Sequence, residues 1–295
     1  MAVKIVEMQS PASHRRPTPI AHYENFPVAS WLCPSALRAP VAAIYNFARC
    51  ADDLADEGDA PPGQRLRDLH DYREQLRLAS DAGMPEWDPR WGALFAELQA
   101  AIRSHRLPVA PMQALLDAFV QDVQASRDAS RYASEADLLD YCSRSANPIG
   151  RLLLHLYRVS DPQLLQRSDA ICTALQLINF WQDLGQDIAR GRHYLPRDAC
   201  RNFGVDLRDL LALRQTPAIT LLLADCAERA RQRMLAGAAL VHRIPGRAGW
   251  ELRLVVQGGL RILDKMQARR FDTLHQRPRL RWWDTPLLLW RALRM

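Results

Sequence analysis

Almost every long segment of this 295-residue chain carries apolar residues at three- and four-residue steps, which is the period of an amphipathic α-helix. Alternating β-strand patterns bounded by Asn-Gly or Asp-Gly turns do not occur. We therefore predict an all-α fold. The sequence has no Gly/Ser-rich linker, low-complexity tract or fixed-period repeat to mark a domain boundary, so we predict a single helical domain.

Turn and capping residues place the ends of the predicted helices. Ser35 is the expected N-cap of the first helix, and Ser134 with Asp137 three residues later forms a capping-box pattern that opens another. Asn147-Pro148 is expected to kink that helix, because proline lacks the N–H that an inner helical turn requires. The predicted helices cover residues 35–58, a segment from 62 onward, 91–105, 110–125, 134–158, 162–188, 218–242 and 250–274.

Two acidic clusters lie far apart in the chain, each inside an apolar, helix-forming stretch. They are Asp52-Asp53-Leu54-Ala55-Asp56-Glu57 and Asp183-Leu184-Gly185-Gln186-Asp187. In each cluster an aspartate recurs after four residues, so Asp52 and Asp56 share one helix face, as do Asp183 and Asp187. Two such faces turned toward each other would hold divalent cations.

The first cluster belongs to a longer polar stripe that also contains Tyr45 and Arg49. The alternative interpretation is a solvated, acidic helix end. Carboxylates at the C-terminal end of a helix oppose the helix dipole and repel one another, and a bound cation would offset that cost. The position of the cluster therefore favours a metal site.

The second cluster extends in the same way to Gln176 and Asn179, between apolar neighbours. Carboxylate and amide oxygens without nearby His or Cys suit Mg²⁺ rather than zinc or copper. A di-iron site of the ferritin-like kind needs Glu-x-x-His pairs, which neither helix has.

Two arginines follow the second cluster, in the run Arg190-Gly191-Arg192-His193-Tyr194-Leu195-Pro196. A guanidinium group can form two parallel hydrogen bonds to phosphate oxygens, so these arginines would hold an anion next to the metal. Interaction with the helix dipole is the alternative, and it explains Arg190 better than the whole run. Mg²⁺ and arginines beside an apolar cavity indicate a diphosphate with an apolar tail.

Three motifs together resemble the signatures of the squalene and phytoene synthase family. They are Tyr45-x-x-x-Arg49-x-x-Asp52-Asp53-x-x-Asp56-Glu57, Gln176-x-x-Asn179-x-x-x-Asp183-x-x-x-Asp187 and Arg190-Gly191-Arg192-x-Tyr194-Leu195-Pro196. The resemblance runs from about His22 to Phe271 and implies an isoprenoid synthase-type helical bundle around a central apolar cavity. Within the family, residues 22–30 and 145–150 are most similar to the bacterial hydroxysqualene synthase branch of hopanoid biosynthesis.

The resemblance also implies roles for individual residues. Mg²⁺ is expected on Asp52, Asp56, Asn179 and Asp183. The catalytic residues it implies are Asp52, Asp53, Asp56, Asp183, Asp187 and Tyr45. The substrate contacts it implies are His22, Asn25, Tyr45, Arg49, Asn147, Gln176, Gln182, Arg190, Arg192, Tyr194 and Phe271. The chain departs from many relatives at Gln186, where they carry Glu, and at Phe271, where they often carry Tyr, so neither a metal carboxylate nor a phenol is available there.

The activity implied by the resemblance is ionisation of presqualene diphosphate and capture of the rearranged carbocation by water, in squalene and hopanoid biosynthesis. No G-x-G-x-x-G motif follows a strand, so there is no sign of a nicotinamide site. Our hypothesis is that the Asn147-Pro148 kink and the Asn147 amide hold the water. The alternative is a kink that only shapes the bundle.

Two other functions remain open at this point. A presqualene diphosphate or phytoene synthase, which condenses two prenyl diphosphates, would share every metal residue. A basic helical scaffold at a membrane surface would explain the net charge of +6 but not the two acidic stripes. We predict no nucleic-acid partner, and the sequence does not fix the oligomeric state.

The ends of the chain are predicted to differ from its centre. Residues 1–20 are expected to form a flexible tail, 21–276 the helical domain, and 277–295 an amphipathic segment. That last segment, rich in Trp, Leu and Arg, resembles an interfacial membrane anchor, or alternatively a final helix packed on the bundle. Six scattered cysteines and the lack of a membrane-spanning apolar run favour the cytoplasm, with peripheral attachment to the inner face of the membrane in the anchor interpretation.

Overall fold

The structure is a computed structural model that describes residues 33–81, 83–127 and 132–295. These residues form helices and connecting loops without a β-strand, which confirms the predicted all-α class. The α-helices are α1 Ser35–Asp56, α2 Pro62–Ser80, α3 Gly92–His105, α4 Ala110–Arg127, α5 Glu135–Ser145, α6 Asn147–Leu156, α7 Pro162–Gln182, α8 Leu184–Ala189, α9 Arg197–Asn202, α10 Leu207–Leu211, α11 Pro217–Ala238, α12 Gly246–Ala268 and α13 Thr285–Leu293.

Local sequence explains several helix ends. Ser134 and Asp137 form the expected capping box of α5. The N-cap of α1 is Pro34 rather than Ser35, because Pro34 has the extended backbone of a cap and Ser35 is already helical. That helix ends at Asp56, two residues before the predicted end at Gly58, whose φ of +72° suits glycine.

The helix predicted over residues 162–188 is two helices. The chain bends at Asp183, which has φ −101° and ψ 7° and lies between α7 and α8. Backbone hydrogen bonds from Asp183 N–H to Asn179 C=O and from Asp187 N–H to Asp183 C=O, both 2.9 Å, keep the turn continuous. The predicted kink before Pro148 is present, and it divides α5 from α6 at Ala146.

Two groups of buried apolar side chains form the core. One is built on α1 to α4, where Phe47 and Tyr72 stack with ring centroids 5.3 Å apart. The other is built mainly on α5, α7, α11 and α12. A cavity of about 460 Å³ is lined by members of both groups, which confirms the expected central apolar cavity.

The C-terminal part of the chain differs from its prediction. The helix predicted over residues 250–274 runs from Gly246 to Ala268, and it stops before Arg270 and Phe271, whose φ angles of +52° and +57° are incompatible with a helix. Residues 269–281 then form a strap that leads to α13, which packs on α12. Within the described ranges, no helix combines the length and apolar content needed to cross a bilayer.

Candidate active site

The C-terminal half of α1 supplies one polar end of the cavity. Tyr45, Arg49 and Asp52 line it, at the helical spacing predicted from the sequence. The Arg49 guanidinium lies 2.9 Å from Oδ2 of Asp52 and 2.6 Å from Oδ1 of Asp53. One arginine therefore holds two carboxylates of the first cluster.

Asp52 carries an unfavourable charge in this setting. Its pKa is raised to about 7, chiefly by burial and also by repulsion from Asp56, while Arg49 opposes the shift. A divalent cation would relieve both causes, because it replaces lost water and screens the neighbouring carboxylate.

The second cluster faces the same end of the cavity. Gln176 lines the cavity one turn before Asn179, which is exposed. Asp183 accepts two hydrogen bonds from the guanidinium of Arg277, one of them 2.9 Å long. Burial raises the pKa of Asp187 to about 7, with Arg192 opposing and Asp183 adding to the shift.

Arg192 joins the two clusters. Its Nη1 donates to Oδ2 of Asp56 at 2.5 Å, and its charge also acts on Asp187. Tyr194 forms a hydrogen bond with Arg192 and stacks on Phe180 with ring centroids 3.8 Å apart. These two contacts hold the loop that carries Arg192 against the buried core. The predicted juxtaposition of the clusters is thus present in the structure.

Sequence reasoning missed a buried pair beside these clusters. The Tyr141 hydroxyl donates to Asp122 Oδ2 at 2.5 Å, and Tyr141 lines the cavity. Burial raises the pKa of Asp122 to about 7, and the charges of Asp56 and Asp52 contribute. The available signal was an aspartate one helical turn after the apolar Ala118 and Phe119, since an acid is seldom buried without a partner.

Two further residues were missed. Arg277 reaches Asp183 from the strap, far away in sequence. Ser145 lines the cavity one turn after Tyr141, and its hydroxyl is buried without a hydrogen-bond partner in the protein. No local pattern indicated the position of Arg277, and Ser145 was singled out only as the first residue of the segment 145–150 in the family resemblance.

Other expected substrate contacts lie elsewhere. Gln182 is fully buried and donates to the Pro278 carbonyl at 2.6 Å, so in this structure it holds the strap. Asn147 is buried and accepts a 2.9 Å hydrogen bond from Thr173, turned toward α7 rather than lining the cavity. Arg190 is exposed, and Phe271 packs partly buried against the core. The remaining two, His22 and Asn25, lie outside the described residues.

The donor atoms of the site suit a hard cation. Every predicted ligand offers a carboxylate or amide oxygen, as Mg²⁺ prefers. In the described part of the chain, no three Asp, Glu, His or Cys side chains form a ready metal cage. Mg²⁺ usually binds through one or two carboxylates together with water and substrate phosphates, so paired aspartates at the polar end of the cavity fit that mode.

Known proteins share this arrangement of sequence and fold. Residues 20–284 match the family model for squalene/phytoene synthase. The hydroxysqualene synthase of Rhodopseudomonas palustris is 32% identical over 277 residues, covering 93% of this chain and 87% of that protein. The presqualene diphosphate synthase of the same organism is 28% identical over 263 residues, covering 88% of this chain and 90% of that protein.

A solved structure agrees with the sequence comparison. The crystal structure of squalene synthase HpnC from Alicyclobacillus acidocaldarius superposes with a TM-score of 0.75 at 35% identity, covering 86% of this chain and 91% of that one. The helical bundle is therefore of the squalene synthase type. The chain belongs to the squalene/phytoene synthase family, whose members are enzymes that process isoprenoid diphosphates.

Proposed function

We propose that this protein is a Mg²⁺-dependent hydroxysqualene synthase, which ionises presqualene diphosphate and adds water to the carbocation. The observation that carries the proposal is the unpartnered Ser145 hydroxyl, because it is a buried polar group in a mostly apolar cavity. The similarity to a hydroxysqualene synthase over most of the chain supports the same assignment.

The positively charged arginines of the site would bind the diphosphate of the substrate. Arg49, Arg192 and Arg277 are each held by an aspartate at the polar end of the cavity, and all three guanidiniums can turn to diphosphate oxygens. The apolar wall beyond them takes the isoprenoid chains. Bound through Asp52, Asp56, Asn179 and Asp183, Mg²⁺ would supply Lewis-acid stabilisation of the leaving diphosphate.

The C–O bond to the diphosphate breaks, and the electron pair leaves with the diphosphate oxygen. The arginines stabilise the growing negative charge, which is strongest in the transition state. The cation stays in the cavity, where Tyr141 and the apolar side chains exclude bulk water.

A single water completes the reaction. The Ser145 hydroxyl would hold this water one helical turn from Tyr141, and the water oxygen forms the new C–O bond. The water gives up one proton, which the released diphosphate accepts, so the products are an alcohol and protonated diphosphate. This assignment moves the water-holding role from Asn147 to Ser145, because Asn147 Oδ1 already accepts from Thr173.

One alternative shares the same polar end. A presqualene diphosphate or phytoene synthase would condense two prenyl diphosphates, as a prenyltransferase rather than a carbon–oxygen lyase. The similarity to a presqualene diphosphate synthase supports this alternative at nearly equal identity. A basic membrane-surface scaffold without catalysis is the non-enzyme alternative, and it leaves the acidic clusters without a role.

Separate incubations with presqualene diphosphate, with farnesyl diphosphate and with geranylgeranyl diphosphate distinguish these functions. We expect Mg²⁺-dependent diphosphate release and hydroxysqualene from presqualene diphosphate, with ¹⁸O from labelled water in the alcohol. Presqualene diphosphate or phytoene formed from prenyl diphosphates, with no alcohol from presqualene diphosphate, would overturn the proposal in favour of the prenyltransferase. The absence of diphosphate release from any substrate would favour the scaffold.

A further inference from the structure

The C-terminal helix presents an apolar face to solvent. Five large apolar residues on α13 and the turn before it are 46–81% exposed: Trp282, Trp283, Leu289, Trp290 and Leu293. Leu289, Trp290 and Leu293 lie three and four residues apart, so they share one side of the helix. We call these five residues the tryptophan face.

The opposite side of α13 is firmly fixed to the bundle. The side chain of Asp284 is fully buried and accepts from Arg261 at 2.9 Å and from Lys265 at 2.5 Å. Ala292 is buried, and Arg291 pairs with Asp264 at 2.7 Å. The tryptophan face therefore points outward because its helix is anchored in that orientation.

Positive charge accompanies the tryptophan face. The Arg294 guanidinium lies 4.0 Å from the Trp290 ring, and that of Arg281 lies 5.6 Å from the Trp283 ring. Residues 277–295 contain five arginines and one acid, Asp284, which is buried. The tryptophan face thus combines indole rings and guanidiniums, and residues 277–295 add no exposed acidic side chain to it.

We propose that the tryptophan face docks on an anionic phospholipid bilayer. Indole rings are favoured at the interface between lipid headgroups and chains, and basic residues gain from the negative potential of anionic lipids. A second copy of the chain is a poorer occupant, because a symmetric contact would bring the arginines of both copies together.

Docking would also place the cavity wall near the lipid. Helix α12 separates the two features. Ala248, Leu252 and Val255 line the cavity, whereas Arg253 donates to the Ala292 carbonyl of α13 at 3.2 Å and to the Met295 carbonyl just beyond that helix at 2.8 Å. An apolar isoprenoid partitions into lipid, so a site one helix away from the bilayer shortens its transfer through water.

Vesicle cosedimentation of the full chain tests the proposal. The vesicles are phosphatidylcholine alone or mixed with phosphatidylglycerol, at low and high salt. The test variant carries Trp282→Ser, Trp283→Ser and Trp290→Ser, and the matched control carries Leu221→Ser and Leu235→Ser, two similarly exposed residues of α11. We expect the tryptophan variant to bind anionic vesicles at least about tenfold more weakly than the wild type, and the control to bind normally.

A charge variant gives an independent measurement if the tryptophan variant does not fold. Arg281→Gln with Arg294→Gln is expected to reduce binding to anionic vesicles while leaving the weaker binding to phosphatidylcholine unchanged. Equal vesicle binding by all variants overturns the proposal. A wild type that is dimeric by light scattering, with a monomeric tryptophan variant, overturns it in favour of self-association. These readouts do not depend on catalytic activity.

Discussion

Arg192 Nη1 lies 2.5 Å from Oδ2 of Asp56, although 136 residues separate the two in the sequence. The pair connects the loop after α8 to the C-terminal end of α1. It neutralises a carboxylate that repels Asp52, and it places a guanidinium at the polar end of the cavity. When a diphosphate enters, the same guanidinium is in position to bind it.

The first prediction concerns this arginine. Arg192→Ala should lower kcat/KM for diphosphate release by about 10²–10³-fold, because a group that stabilises the leaving charge is lost. Arg192→Lys should recover only part of the rate, since an ammonium cannot form the paired hydrogen bonds of a guanidinium. Arg208→Ala, at an exposed surface arginine, is the control and should have no effect. A rate for Arg192→Ala within threefold of the control would contradict the assignment.

Features that depend on neighbouring residues could be predicted from the sequence, whereas contacts between residues far apart in the chain could not. The helices, the capping box of Ser134 and the kink before Pro148 follow from local periodicity and backbone chemistry, and all are present. The contact of Arg277 with Asp183 joins residues 94 positions apart, and only packing of the strap on α7 and α8 creates it. Gln182 illustrates the same limit: the family resemblance implied a substrate contact, but tertiary packing buries this side chain against Pro278.

Asp52→Asn should have opposite effects with and without metal. Without Mg²⁺ at pH 8, the variant should be more stable by about 1 kcal/mol, because it removes a half-buried charge that repels Asp56 and solvent screening limits the gain. With Mg²⁺ and inorganic diphosphate, it should lose at least about tenfold in Mg²⁺ affinity by calorimetry. Asp117→Asn, at an exposed aspartate paired with Arg73, is the control. Unchanged Mg²⁺ affinity in Asp52→Asn would remove Asp52 from the metal site.

Ser145→Ala tests the water position. We expect normal diphosphate release from presqualene diphosphate but at least about tenfold less alcohol, with elimination products in its place, since the apolar cavity loses its water-holding hydroxyl. Ser143→Ala is a matched control on the same helix, because Ser143 is exposed and its hydroxyl donates to the Asp140 carbonyl. Asn147→Ala should leave the alcohol yield intact. An unchanged product ratio in Ser145→Ala would refute the assignment.

Gly185→Ala should detach the strap. A methyl group at this position would overlap the backbone carbonyl of Leu274, which cannot move independently of the strap. We expect the free energy of unfolding to fall by about 1–3 kcal/mol in urea titrations, because overpacking at a backbone contact forces a shift. Gly63→Ala, whose added methyl meets only the Arg67 side chain at 3.8 Å, should be neutral or slightly stabilising. Equal stability of the two variants would show that the strap is not held at Gly185.

The buried Asp122 predicts a pH-dependent stability in metal-free buffer. Its pKa is raised to about 7 in the folded protein, chiefly by burial, and an unfolded aspartate titrates near 4. Below about pH 4 the carboxyl is protonated in both states, so it carries no penalty. As the pH rises from 4 to 7, only the folded state retains the proton, and the stability it contributes is lost progressively, reaching a constant deficit above pH 7. Asp122→Asn keeps an acceptor for the Tyr141 hydroxyl but does not titrate. Relative to the wild type, it should therefore gain about 2–4 kcal/mol between pH 4 and pH 8 in urea unfolding. A stability difference that stays flat with pH would show that folding does not raise the pKa of Asp122.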